Sequence, residues 1–134
     1  MIAHVIRLAP GTDLSNEIDK FLSEKNIEAA YIAMGIGSLS SLKVRFASAD
    51  DYAVLKENFE IVSLSGSLSK NGTHIHGSFS NSNGKVIGGH VRQGCLVRTT
   101  AELVIVELKD YTFERVMDAQ TGYMELIPRK KEKA

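Results

Sequence analysis

The chain has 134 residues, 43% of them hydrophobic and 24% charged, which is the size and make-up of one ordinary globular domain. Sixteen basic residues offset sixteen acidic ones, for a formal net charge of zero, so the strongly basic footprint of a duplex-DNA binder is absent in bulk and self-association meets little charge repulsion. A single cysteine, Cys95, excludes an internal disulfide framework and favours a reducing compartment. No basic-then-apolar leader opens the sequence, and no apolar run approaches the roughly 20 residues that span a bilayer. A cytoplasmic protein without a membrane segment is expected.

Residues 4–8 alternate like a strand, and Pro10-Gly11 then breaks the chain. Thr12 or Asp13 can cap a helix. Leu14, Ile18, Phe21 and Leu22 follow at helical spacing and form one apolar stripe, with Asn26 as its stop. Beyond that helix the pattern is β. Strands are predicted over 29–34, 41–47, 59–67, 74–79, 85–92, 102–108, 113–117 and 123–127, while 52–57 shows no assignable period. Gly35-Ile36-Gly37-Ser38 resembles a phosphate loop only loosely. It lacks the later glycine, and no helix follows to receive a phosphate, so it reads as a bend or bulge. Many strands with one principal helix predict an α+β fold on a mainly antiparallel sheet. The organisation expected is a single domain over 1–128, followed by a short basic tail over 129–134 that frays.

Three of the four histidines fall close together, in His74-Ile75-His76 and Gly88-Gly89-His90. Residues i and i+2 of a strand share a face, so His74 and His76 project side by side. Asn81-Ser82-Asn83-Gly84 is a hairpin signal. With a three-residue loop and a left-handed Gly84, Asn81 pairs with Lys85 and His90 falls opposite His76; a slip of one residue would send His90 to the other face. Gly77, Gly88 and Gly89 remove side-chain bulk nearby, leaving room for a metal, a ligand or another backbone.

Three neutral imidazoles with an open position suit Zn²⁺, and also Fe, Ni or Cu. Strand histidines serve equally well as plain hydrogen-bonding groups. Glu102 is the candidate carboxylate behind an imidazole, or simply a solvated strand residue. No G-x-S-x-G elbow supports a serine hydrolase. Cys95 reads as a lone, partly buried thiol and His4 as a surface or edge-strand residue. The glutamate that a cupin places a few residues after its H-x-H is replaced here by Phe79 and Ser80.

The order of segments resembles a known family. Phe59-Glu60-Ile61-Val62-Ser63-Leu64-Ser65-Gly66-Ser67, His74-Ile75-His76, Gly84-Lys85-Val86-Ile87-Gly88-Gly89-His90-Val91 and Thr100-Ala101-Glu102-Leu103-Val104-Ile105 are similar to the PPC domain (DUF296) of plants and prokaryotes. Ala29-Ala30-Tyr31-Ile32-Ala33-Met34-Gly35-Ile36-Gly37-Ser38-Leu39 looks like its glycine-containing segment. The resemblance implies an α+β homotrimer in which His74, His76 and His90 are the cluster where some relatives carry zinc. It also implies a DNA-associated role, one that plant relatives support with an AT-hook. No Arg-Gly-Arg-Pro hook occurs here, Arg129-Lys130-Lys131 lacks its shaping residues, and Asn58 stands where the plant motif has arginine.

Three functions follow as expectations. One is a trimeric, DNA-associated or regulatory module, for which Lys43, Arg45, Arg92, Arg98 and Arg115 are available to gather on one face. The second is a metal-dependent small-molecule enzyme or ligand sensor built on the triplet. The third is an assembly module whose apolar run Val104-Ile105-Val106 is covered by the helix on one side and a neighbouring subunit on the other.

Overall fold

The computed structural model describes residues 1–132. Its elements run β1 (Ile2–Leu8), α1 (Leu14–Glu24), β2 (Ala30–Arg45), β3 (Ala53–Leu55), β4 (Phe59–Ser69), β5 (Gly72–Asn81), β6 (Val86–Val91), β7 (Leu96–Glu107), β8 (Tyr111–Met117) and β9 (Met124–Lys130). The large sheet has the order β1-β7-β2-β4-β5-β6, with β3 on β2, and β8 and β9 form a separate two-stranded sheet. Every pairing is antiparallel. The α+β expectation with one principal helix therefore stands.

The helix begins where its cap allows. Asp13 is extended and accepts from the Asn16 amide at 3.1 Å, and its other oxygen takes the Gly94 amide at 2.7 Å. One side chain thus starts the helix and ties it to the segment entering β7. Asn26, at φ 54°, turns the chain out of the helix. Leu14, Ile18 and Leu22 are fully buried and join Leu103, Ile105, Ile75 and Phe79 in a single core. Each contributes roughly 1.5–3 kcal/mol through burial of its apolar surface. Phe21, on the same stripe, is only partly buried and lies edge-on to His4 at 5.3 Å between ring centroids.

Several predicted boundaries change. The strands expected over 29–34 and 41–47 are one 16-residue strand, β2. Gly35 to Ser38 is not a break; the register shifts as a bulge between Gly37 and Leu39, with further shifts on either side, between Ile32 and Met34 and between Leu39 and Ser41. Gly37, at φ +140°, makes this feasible, because a Cβ would fall on the Thr100 carbonyl and 2.6 Å from the Ala101 Cα. β7 starts at Leu96, six residues before the predicted 102: Leu96 and Val97 pair with Ser41 and Leu39, and the polar Thr99 between them and Ala101 is tied to the same strand by its hydroxyl, 2.7 Å from that of Ser38. The unassigned stretch supplies the short strand β3. β9 continues through Lys130, which pairs with Tyr111, so Arg129 and Lys130 belong to a hairpin and not to a fraying tail; residues 133–134 of that tail lie outside the described residues.

The sheet curls until β6 meets the far end of β2, with Val44 opposite Val91 and Arg45 opposite His90. This closure puts residues distant in sequence around one spot. The β8–β9 hairpin packs against the same region: the Phe113 amide donates to the Glu28 carbonyl at 2.9 Å, and the Ser69 hydroxyl donates to the Phe113 carbonyl at 3.1 Å. Cys95 is fully buried, more so than expected, and its thiol is pushed up to about 11, chiefly by burial. It is a packing residue in the core. His4 meets Glu107 Oε1 at 3.0 Å, so the edge-strand histidine is partnered. No helix among the described residues is long and apolar enough to cross a membrane.

Candidate metal centre

The hairpin that presents the histidines forms as its turn residues dictate. The Gly84 amide donates to the Asn81 carbonyl at 3.0 Å, the Asn81 amide donates to the Lys85 carbonyl at 2.9 Å, and Gly84 has φ +78°. Asn81 Oδ1 accepts from the amides of Asn83 and Lys85, each at 3.0 Å. The result is the three-residue loop with a left-handed glycine, and it sets the register so that His76 pairs with His90.

All three imidazoles share a face. His74 Nε2 lies 3.0 Å from His76 Nε2, and one ring nitrogen from each of His74, His76 and His90 falls within 4.8 Å of the others. Ring centroids are 4.7, 5.2 and 5.6 Å apart. Nitrogens on a tetrahedral Zn²⁺ at about 2.0–2.1 Å lie about 3.3 Å from one another, so the closest pair already stands near that edge. The donor set fits a divalent metal.

Electrostatics favour the form a metal needs. His90 is pushed down to about 4, first by burial and then by His74, Arg45, His76 and Arg92. His74 is also lowered, by burial first, then by His76, Arg115 and Arg45, with Glu125 opposing. Both imidazoles are therefore neutral at pH 7, as metal ligands must be.

The three glycines have a different use from the one expected. A Cβ on Gly89 would lie 2.5 Å from the Arg45 carbonyl, one on Gly77 would lie 2.5 Å from the Phe79 ring, and one on Gly88 would meet the Gly77 carbonyl. They admit neighbouring backbone and a core ring and do not line a hollow. Glu102 is not behind the triplet. It sits on β7 opposite Arg7 and Ile36, and β2 and β4 separate β7 from β5. The carboxylate that does share a groove with His74 and His90 is that of Glu125, on β9.

Residues beyond the triplet complete the surroundings. Of the five basic residues available, Arg45, Arg92 and Arg115 line the same groove as His74 and His90. Lys43 instead stands over the Tyr52 ring, 5.7 Å from its centroid, and Tyr52 lies beside His90 at 6.4 Å between centroids. Arg92 follows His90 by two residues, so strand alternation could have found it. Arg45 and Arg115 depend on the closure of the sheet and on the second hairpin, which leave no local signal.

Comparison with known proteins agrees with this architecture. A hypothetical protein from Salmonella cholerae-suis is 37% identical and superposes with a TM-score of 0.95, over 98% of this chain and 95% of that one. A protein from Archaeoglobus fulgidus described as metal-containing is 32% identical, with a TM-score of 0.78 over 95% and 94%. A Bacteroides thetaiotaomicron protein described as a DNA-binding candidate shares the fold, with a TM-score of 0.84 over 93% and 91%, at 21% identity. The bifunctional protein GlmU of Synechococcus sp. (strain JA-3-3Ab) is 40% identical over 121 residues, which is 90% of this chain; the chain spans 20% of that relative's length. The profile of the Plants and Prokaryotes Conserved (PCC) domain matches residues 1–109, short of the β8–β9 hairpin. The chain belongs to the plants and prokaryotes conserved domain family.

Proposed function

We propose that this protein is a metal-binding regulatory module that works as a homotrimer, with His74, His76 and His90 holding one divalent ion of the zinc class. The observation that carries this reading is the convergence of three imidazole nitrogens within 4.8 Å on one face of a hairpin. The 32% identical Archaeoglobus protein described as metal-containing supports it. When bound by three histidines, such an ion keeps a coordination position open and acts as a Lewis acid. The chain's own part is to hold the nitrogens in register, keep His74 and His90 neutral, and open a groove beside them. That groove favours a ligand sensor or small-molecule enzyme as the second reading of the same site.

Titration of the metal-free chain with Zn²⁺ tests the proposal. Saturation at one ion per chain is expected, with a thermal midpoint that rises with free metal, because ligand held only by the folded state adds about 2.7 kcal/mol at 100 times its Kd. Absence of saturable uptake overturns the reading.

The trimer is supported by the sheet face opposite the helix. Val5, 77% exposed, is paired with Val104, Tyr31 with Val106 and Ile36 with Glu102, and cross-strand partners share a side. Val5, Tyr31 and Ile36 thus lie with Val104 and Val106 on one side of the sheet, beside Arg7 and Glu102, and large apolar groups gathered on an open face favour a partner surface. A native mass three times the 14.7 kDa of one chain is expected; a monomeric mass at working concentration counts against it. DNA association, the remaining family expectation, has less behind it. The chain is neutral, and phosphate contacts need a basic surface of some extent.

A further inference from the structure

Three arginines stand around the histidine triplet, and none forms an ion pair with another described residue. Arg45 lies directly across the β2–β6 seam from His90. Arg92 follows His90 by two residues, just past the end of β6. Arg115 comes from β8 and donates to the Ser67 hydroxyl at 2.7 Å, and Ser67 is the residue paired with His74. All three line one groove of about 640 Å³ together with His74 and His90. Among the described residues the ion pairs involve Glu107, Glu114 and Glu28, and none includes these arginines.

Glu125 is the one carboxylate lining that groove; Asp19, which acts on Arg92, lines the adjoining one. Counting both carboxylates against the three guanidinium groups still leaves a local surplus of one positive charge, in a chain whose total is zero. Gathering like charges costs the folded state, so packing does not explain the arrangement. A negatively charged ligand does. Guanidinium forks match the paired oxygens of carboxylates and phosphates. A groove of this volume lies within the range of small-molecule sites, roughly 300–1,000 Å³. Arg92 and Arg115 also border the adjoining groove, whereas Lys43 is engaged with Tyr52 and Arg98 projects from β7, outside the groove.

We propose that Arg45, Arg92 and Arg115 form a seat for the carboxylate or phosphate group of a small molecule held beside the histidine triplet. The proposal deepens the metal-centre reading by naming its ligand class, and it rests on that reading only for the ion alongside. The seat itself is made by the chain. It uses the β8–β9 hairpin, which lies outside the matched family segment 1–109.

Inorganic phosphate and malonate, titrated separately by calorimetry into metal-free and zinc-loaded protein, test the seat, with zinc content measured on the same samples. One of the two is expected to saturate at one per chain, and which one identifies the oxyanion. Arg45→Gln and Arg92→Gln are each expected to weaken it about tenfold, the loss of one charged hydrogen bond, with zinc content unchanged. Arg98→Gln is expected to leave it unaltered. Because Arg115 also holds Ser67, Arg115→Lys is the variant for that position: the charge stays, the fork is lost, and weaker anion binding at an unchanged thermal midpoint is expected. Zinc-loaded protein that binds neither anion overturns the seat and leaves the metal reading standing. Protein that takes up no zinc but binds anion through these arginines overturns the metal reading and upholds the seat. Duplex DNA bound through the same arginines, with steep salt dependence and no saturable small anion, overturns the seat in favour of nucleic acid.

Discussion

His76→Ala is expected to weaken zinc binding by more than about 100-fold while leaving the metal-free fold intact. The first half follows from geometry. His76 is the middle of the set, 3.0 Å from His74 through the ring nitrogens and directly across the ladder from His90. Removing it leaves two donors on different strands. Losing even a residue behind a metal ligand costs about 10–100-fold in affinity, so losing a ligand costs more. The second half follows from exposure. His76 projects from the open face of β5, whereas its neighbour Ile75 is the residue that fills the core. The metal-free variant and the metal-free parent should therefore melt within a few degrees of each other. Metal analysis after dialysis against a common zinc buffer reads the first quantity and calorimetry the second. Zinc content unchanged from the parent would remove the triplet as the metal centre.

Gly37→Ala carries the largest expected effect on stability. The new methyl would sit on the Thr100 carbonyl and 2.6 Å from the Ala101 Cα, at a φ of +140° that side chains rarely adopt. Strain of this kind costs about 1–3 kcal/mol, and overpacking against rigid backbone about as much again. Destabilisation of roughly 3 kcal/mol or more is expected, which lowers the thermal midpoint by on the order of 10 °C. Gly84→Ala is the comparison. Its φ is also positive, at +78°, but nothing lies within 4 Å of the added carbon, so only the conformational penalty of about 1 kcal/mol applies. Chemical denaturation of the two variants beside the parent measures the difference. Equal effects would mean that β2 does not press its bulge against β7 as described.

These two outcomes mark where the sequence was readable. The helix and the histidine hairpin are specified locally: an aspartate cap ahead of an apolar stripe, and an asparagine-glycine turn that sets the register of everything after it. Both could be read because the determining residues lie within a few positions of one another. Strand β2 could not be read as one element, because glycines at 35 and 37 look the same whether they end a strand or bulge it. Only the approach of Thr100, from more than sixty residues away, decides between them. Glu102 was misplaced for a related reason. Its face of the sheet was readable from alternation, but its distance from the histidines depends on strand order. The gathering of Arg45, Arg92 and Arg115 in one groove has the least local signal. Arg45 reaches His90 only because the sheet curls back on itself through two residue pairs, Val44 with Val91 and Arg45 with His90.

The second sheet has a consequence for how this molecule can change. Among the described residues β8 and β9 pair only with each other, and the hairpin touches the main body through a few bonds at Glu28, Ser67, Ser69 and Asn71. Strand register in the large sheet is set elsewhere, so exchanging this flap would alter the guanidinium and the carboxylate it offers without moving an imidazole. One wall of the groove, Arg115 and Glu125, is thus carried on a piece of chain separable from the one that gathers the histidines with Arg45 and Arg92.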